Sequence, residues 1–369
     1  MARDLARDVT RDVAEPLAVS AAPSAPGPAR WRSLLRWESA LVVLLLASIW
    51  IGAGTSENYL SSINVFFIGL NVGEIAIMAL PLMLIVVTGE IDLSVASMLG
   101  LSSTLLGLLF RSGWPLWLAV ATCLAVGLLG GALNGLLITG LGLPSIAVTI
   151  GTLTLFRGIA EVLLESDSVT GFPASATNIG VLPVPGTQLA TSIVIFLVLA
   201  AVYAVVLHAS PLGRSIFAIG LQEEAAFFAG IRVRRIKFGL YVMSGLICSF
   251  AGVLWTFRFA TSRFDAGTGL ELNVVAIVLL GGVSIFGGRG SVLGVVLAVG
   301  IMGSLQLALT LINVAPQVQN IITGVLLLAS VVVPNGAEIG RRLMAAARRT
   351  SPSGGGVPPA GTEPNTHPA

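Results

Sequence analysis

The chain between Leu41 and Val333 is a series of apolar runs separated by short polar interruptions. Runs such as Leu41–Trp50 and Leu118–Leu129 are apolar at almost every position, whereas a β-barrel strand alternates apolar and polar residues. A helix needs about 20 mostly apolar residues to span a bilayer. The pattern therefore predicts an all-α polytopic membrane protein with about ten transmembrane helices.

The apolar runs give eleven approximate helix starts, and one of them must belong to a half-span if about ten helices cross the membrane. The short pair between Ile63 and Val87 is the predicted place for this half-span. The starts lie near Leu41, Ile63, Ile75, Leu93, Pro115, Pro144, Thr191, Phe238, Leu272, Val292 and Gln317.

Composition and charge divide the chain into a membrane domain and two tails. Only 10% of the residues are charged and 55% are hydrophobic, so lipid is the expected solvent of residues 38–335. Residues 1–37 and 336–369 are polar and rich in Pro, Ala and Gly, and we expect both tails to be largely disordered. Basic residues concentrate in the two tails and in a loop at about 209–237. The positive-inside rule places these three regions, and therefore both termini, in the cytoplasm.

The basic loop at 209–237 is amphipathic. Ile216, Ile219, Ala226 and Ala229 can share a helix face, with two glutamates beside it. The pattern suggests a short helix parallel to the membrane on its cytoplasmic side. An ordinary basic loop that only fixes topology is the alternative.

A resemblance to a known family begins in this loop. Glu224, Ala225, Ala226 and Gly230 spell E-A-A-x-x-x-G, which resembles the coupling-helix signature of ATP-binding-cassette importer permeases. In that family the helix docks in a groove of the cytoplasmic ATPase. The resemblance implies that Glu223 and the four signature residues couple this chain to an ATPase.

Three further segments resemble the ribose-type branch of that family, which imports monosaccharides. They occur in the family's order and are TGEIDLSVAS (88–97), LPSIAVTIGTLTLFRG (143–158) and AGTGLELNVVAIVLLGGVSIFGGRGSVLG (266–294). The form G-E-I-D-L-S-V, together with VTGFPA (169–174), resembles a rhamnose-type subgroup or its relatives that take up furanosyl autoinducers.

The resemblance implies a permease subunit that moves a monosaccharide into the cytoplasm of a bacterium by alternating access. Its partners would be a cytoplasmic ATPase subunit, a second permease subunit that is either identical or related, and an extracytoplasmic sugar-binding protein. No nucleic acid, cofactor or metal is expected. The only lysine, Lys237, follows Ile236, so there is no Walker A motif and this chain is not expected to hydrolyse ATP itself.

Carboxylates within the apolar region are the candidates for the translocation path. A carboxylate in a bilayer needs a partner, a proton or water. Glu90, Asp92 and Glu271 are predicted to border the path; Asp92 could instead cap the helix that begins near Leu93. An ion-coupled secondary transporter or channel, with Glu74, Glu90 and Asp92 as a proton relay, is the alternative function.

Two other patterns leave alternatives open. Gly127, Gly131 and Gly135 have the spacing of close helix packing, within one subunit or between subunits. The aromatic and basic residues from Trp255 to Phe264 could form an interfacial belt or contact a sugar.

Overall fold

The structure is a computed structural model that describes residues 29–330 and 332, with side chains from residue 37 onwards. Most of the described residues are helical. The helices are α1 (Ala29–Thr55), α2 (Ser62–Val87), α3 (Val95–Arg111), α4 (Leu116–Thr139), α5 (Ser145–Leu164), α6 (Ala174–Val181), α7 (Thr191–Ala204), α8 (Pro211–Leu221), α9 (Glu223–Phe228), α10 (Val233–Phe259), α11 (Leu270–Leu280), α12 (Val292–Leu311) and α13 (316–330). Two three-residue strands, β1 (Ser168–Thr170) and β2 (Thr261–Arg263), pair antiparallel with Val169 opposite Ser262.

The predicted polytopic all-α fold is confirmed. Seven helices in the described part of the chain are long and apolar enough to cross a membrane: α1, α2, α4, α5, α7 with its continuation to Ala209, α10 and α12. The shorter apolar helices α3 and α11, and α13, bring the number of membrane helices to about ten.

The predicted half-span between Ile63 and Val87 is wrong. Residues Ser62–Val87 form one continuous helix, α2, which includes Pro81 in its interior. From Gly69 onwards nearly every residue of α2 is buried, because a helix that is apolar on all sides belongs in the core of a bundle. The short helices are instead α3 and α11, each of which adjoins a glycine-containing interruption, at 88–94 and 281–290.

The helices run between two ends of the bundle. The end that carries α8 and α9 is called the basic end; the end that carries β1 and β2 is called the strand end. α10 joins the two ends. Its 27 residues span about 40 Å, since an α-helix rises about 1.5 Å per residue.

Glycine allows α4 and α10 to pack in direct backbone contact. A Cβ atom at Gly131 would overlap the carbonyl oxygen of Tyr241, and one at Gly245 would overlap that of Gly127. Small residues permit such approach where apolar side chains gain nothing over lipid. The glycine pattern of α4 therefore serves packing within the subunit.

The predicted tails fall mostly outside the described residues, which begin at 29 and end at 332. Within the described part, α1 already begins at Ala29, so residues 29–37 belong to a helix and not to the tail assigned to residues 1–37. The predicted disorder of the remaining tail residues stays a prediction.

Gly131→Ala should destabilise the protein by about 1–3 kcal/mol, because the added methyl group overlaps the backbone of α10. Gly151→Ala is the matched control, since Gly151 lies in α5 with open space around its Cα atom. Thermal unfolding of both variants in detergent measures the difference. Equal melting temperatures for the two variants would contradict the packing role of Gly131.

Candidate functional site

The basic end is built by two short helices between α7 and α10. Ser210 caps α8 by accepting a hydrogen bond from the Gly213 amide at 3.2 Å, as serine commonly does at this position. Pro211 occupies the first helical position, where its missing N–H costs nothing. The chain then turns at Gln222 and enters α9 at Glu223. The predicted amphipathic helix is thus two helices joined by one extended residue.

The E-A-A-x-x-x-G signature encodes the end of α9. Gly230 has a φ of 84°, and its amide donates to Phe227 O at 3.0 Å while the Ile231 amide donates to Ala226 O at 3.1 Å. This pair of bonds is a Schellman motif, in which glycine is favoured because its φ is positive. Ala226 packs in a small apolar cluster with Ile219 and Val233, which fixes α9 on α8 and α10.

The other face of α9 is exposed. Glu224 and Ala225 lie on it, and Phe227 and Phe228 are 66% and 84% exposed. We call these four residues the α9 surface. Two exposed phenylalanines next to each other, on a helix whose opposite face is anchored, are typical of an interaction site.

Lys237, in the second turn of α10, lies between two carboxylates from different elements. Its Nζ is 2.6 Å from Glu90 Oε1 and 2.7 Å from Glu223 Oε2. The Lys237 side chain is 6% exposed, that of Glu90 19% and that of Glu223 55%. A buried ammonium group requires such partners, since it has lost most of its water.

Glu90 belongs to the interruption between α2 and α3, which we call segment 88–94. Two hydrogen bonds hold the backbone of this segment to α5. The Ile91 amide donates to Ser145 Oγ and the Thr149 hydroxyl donates to Ile91 O, both at 3.3 Å. The segment thus packs against the start of α5, which carries the resemblance motif at 143–158.

Asp92 anchors the same segment from inside the bundle. One carboxylate oxygen accepts from the Ser94 amide at 2.9 Å and from its hydroxyl, and the other accepts from Ser244 Oγ of α10 at 3.0 Å. Asn134 of α4 donates to Ser94 Oγ at 2.8 Å. These bonds go to Ser94, the residue that precedes α3, and α3 has no side-chain capping bond to the amides of its first turn. The structure therefore shows Asp92 holding Ser94 and not capping the first turn of α3, and the pathway role stays a prediction.

The glycine-rich late segment packs against α8. The Gly288 amide donates to Val87 O at 2.8 Å, and a Cβ atom at Gly220 would overlap both Val87 O and the Gly288 amide. Gly287 and Gly288 have positive φ values of 78° and 70°. The segment is therefore a tight turn that packs against the last residue of α2.

Glu271, the third residue predicted for the path, is not part of this cluster. It lies in the first turn of α11, on the strand-end side, within electrostatic range of Arg157. Glu74 is also elsewhere: it is buried and forms an ion pair of 2.9 Å with Arg258. The structure thus brings Glu90 and Asp92 together with the α9 region and leaves Glu271 apart.

A cavity of about 290 Å³ opens at the strand end beside the aromatic cluster. Trp255 and Phe259 line it, with ring centroids 4.5 Å apart, opposite Arg263 and Asp265. Hydrogen bonds from the Arg263 guanidinium at 2.8 Å hold the pKa of the Asp265 carboxyl below its usual range. Arg263 and Asp265 thus satisfy each other's charge and hydrogen bonds. Both interpretations of the aromatic cluster, an interfacial belt or a sugar contact, stay open.

Sequence reasoning missed the central position of Lys237, as well as Ser145, Gly220 and Ser244. The signal for Lys237 was available: a single lysine at the start of an apolar helix, with carboxylates nearby, must find an anion. The serines and Gly220 carry no comparable signal, because buried small residues are common in membrane helices.

The fold and this site define a multi-pass transport permease with an anchored helix presented at its basic end. The chain belongs to the family described as "Branched-chain amino acid transport system / permease component", whose model matches residues 64–331. The ribose-type importer permease family predicted from the four motifs is confirmed.

Two relatives illustrate the similarity. The autoinducer 2 import system permease protein LsrD of Klebsiella pneumoniae subsp. pneumoniae is 35% identical over 303 residues, which cover 80% of this chain and 91% of that protein. The protein of the same name from Escherichia coli K12 is 36% identical over 302 residues, with the same coverage. No solved structure matches this chain.

Asp92→Ala should lower the free energy of unfolding by about 1–3 kcal/mol, because it leaves the buried Ser94 amide without its acceptor. Asp167→Ala is the control: Asp167 is exposed and its ion pair is with the exposed Arg111. Thermal unfolding in detergent compares the two. A control variant as destabilised as Asp92→Ala would contradict the anchoring role.

Proposed function

We propose that this chain is the permease subunit of an ATP-binding-cassette importer that moves a monosaccharide-like solute into the cytoplasm by alternating access. The observation that carries the proposal is α9, a short helix anchored on one face and exposed on the other. Such a helix can receive a push from a soluble partner and pass it to α8 and α10 as a rigid body.

The α9 surface is the proposed contact with the ATPase subunit. Phe227 and Phe228 supply apolar area at its centre, and Glu224 supplies a charge at its edge. Glu223 is instead directed to Lys237, and Ala226 and Gly230 shape the helix. We thus propose three roles for the five residues predicted to couple the chain to an ATPase. Glu224 and Ala225 contact the ATPase subunit, Glu223 binds Lys237, and Ala226 and Gly230 set the position and the end of α9.

The remaining partners follow from the same proposal. ATP hydrolysis is assigned to a separate subunit, since this chain lacks a nucleotide-binding motif. A second permease subunit and an extracytoplasmic binding protein complete the importer, which lies in a bacterial cytoplasmic membrane. The basic end faces the cytoplasm, in accord with the five basic residues between Arg214 and Lys237. The assignment of Glu90, Asp92 and Glu271 to the translocation path remains a prediction.

Gly230→Leu should abolish co-purification of the ATPase subunit with the tagged chain, because a side chain at this positive φ strains the Schellman turn and misdirects α9. Gly113→Leu is a matched control. Gly113 has a φ of 80° in a Schellman turn at the strand end of α3, where the Trp114 amide donates to Leu109 O. Retention of the ATPase by the Gly230 variant would refute the coupling role, as would its loss from both variants.

The substrate is proposed to be autoinducer 2 or a related sugar such as rhamnose. The relatives named above are autoinducer 2 import permeases, and the G-E-I-D-L-S-V form resembles both subgroups. Cells that carry the importer as their only uptake system should deplete autoinducer 2 from the medium, and excess rhamnose should leave depletion unchanged if autoinducer 2 is the substrate. Depletion of rhamnose alone would assign the rhamnose subgroup.

A further inference from the structure

The two carboxylates that contact Lys237 belong to parts of the protein with different neighbours. Glu223 is the first residue of α9, whose outer face is the proposed ATPase contact. Glu90 belongs to segment 88–94, whose backbone is held by α5 and not by α9. Lys237 is in contact with both.

Segment 88–94 is in turn connected to three membrane helices. It reaches α5 through Ser145, α10 through the bond from Ser244 to Asp92, and α4 through the bond from Asn134 to Ser94. It is also the continuation of α2, the helix whose residues are buried along most of its length. A displacement of this segment therefore reaches the interior of the membrane domain.

The apolar contacts of α9 do not provide the same connection. Ala226 packs with Ile219 of α8 and Val233 of α10, all at the basic end. The basic end also contacts α2 where Gly220 of α8 packs against Val87 and Gly288. This contact holds α8 and not α9. The link through Lys237 is the polar connection between the start of α9 and segment 88–94.

We propose that Lys237 is a positioning residue that couples movement of α9 to segment 88–94 by holding Glu223 and Glu90 at the same ammonium group. The inference rests on the proposed function. It adds that the movement of the ATPase subunit reaches the membrane domain through the ion cluster around Lys237 as well as through the helix backbone. A charged pair suits this role because a short ion pair resists both stretching and compression, while α8 and α10 keep their own packing.

The test measures solute taken up per ATP hydrolysed by the complete importer in proteoliposomes supplied with its binding protein. Lys237→Met/Glu90→Gln removes the buried cation together with its more buried anion, so that no buried charge is left unpaired. We expect this variant to retain the ATPase subunit and to hydrolyse ATP, while uptake per ATP falls at least ten-fold.

A purely structural role predicts a different pattern. Lys237→Met alone should lower the melting temperature, and the double variant should recover it, because its remaining groups are neutral or exposed. If Lys237 only stabilised the fold, uptake per ATP would recover together with the melting temperature. Wild-type uptake per ATP in the double variant would overturn the proposal.

Glu223→Gln provides a second test that does not disturb the bundle. Glu223 is half-exposed, and its replacement leaves the pair of Lys237 with Glu90 intact. We expect uptake per ATP to fall at least three-fold. An unchanged ratio would also overturn the proposal. If the double variant cannot be recovered from membranes, the result for Glu223→Gln alone decides whether the proposal stands.

Arg111→Met/Asp167→Asn is the matched control, since it removes an exposed ion pair of 3.1 Å at the strand end. Its uptake per ATP should equal that of the wild type. If the wild-type chain purifies without an ATPase subunit, the proposed function fails and the inference with it. If the importer assembles and transports but uptake per ATP is unchanged in either test variant, only the role of Lys237 fails.

Discussion

The burial of one ammonium group organises the basic end of this protein. Lys237 has lost most of its hydration, and such a charge is tolerated only where the chain supplies anions at hydrogen-bonding distance. Its two anions come from elements that are far apart in sequence, so satisfying one cation fixes the start of α9, the entry to α3 and the second turn of α10 relative to one another. Three of the four motifs that resemble importer permeases, those at 88–97, 143–158 and 224–230, meet around this point, and the fourth closes against it through Gly288 and Val87.

Close packing of the helices complements this polar anchor. In a bilayer the association of helices gains little from the hydrophobic effect, so backbones must approach closely or exchange hydrogen bonds. α4 and α10 do both: Gly131 and Gly245 remove the side chains that would separate them, and the Ser249 hydroxyl donates to Cys123 O at 2.7 Å. A helix packed this closely along its length resists local bending. The coupling proposed above requires such a helix, because a displacement at Val233 has to reach the far end of α10.

The features that could be predicted from the sequence are those that depend on local pattern. Apolar runs indicated the helices, the charge distribution indicated the basic loop, and E-A-A-x-x-x-G indicated a helix whose spacing from Ala226 to Gly230 is that of a Schellman turn. Features that depend on how helices are ordered and rotated were not accessible. Hydropathy could not tell that Ser62–Val87 is one buried helix, that Glu90 faces a lysine 147 residues later, or that Glu271 lies apart from both. These contacts are set by tertiary packing, which the hydropathy pattern along the sequence does not report.

The arrangement of the carboxylates also bears on the alternative of an ion-coupled transporter. A proton relay requires groups that can exchange protons through a continuous chain of hydrogen bonds. Glu74 is paired with Arg258, and the rest of α2 towards Glu90, Ile75–Val87, is apolar throughout. At the rise of an α-helix this apolar stretch is about 20 Å long. Glu90 is held by Lys237, and Asp92 accepts hydrogen bonds from two serines. Each carboxylate thus has a fixed partner of its own, and the apolar core of α2 separates the first from the other two. Such an arrangement favours carboxylates that hold helices in place over carboxylates that pass protons between them.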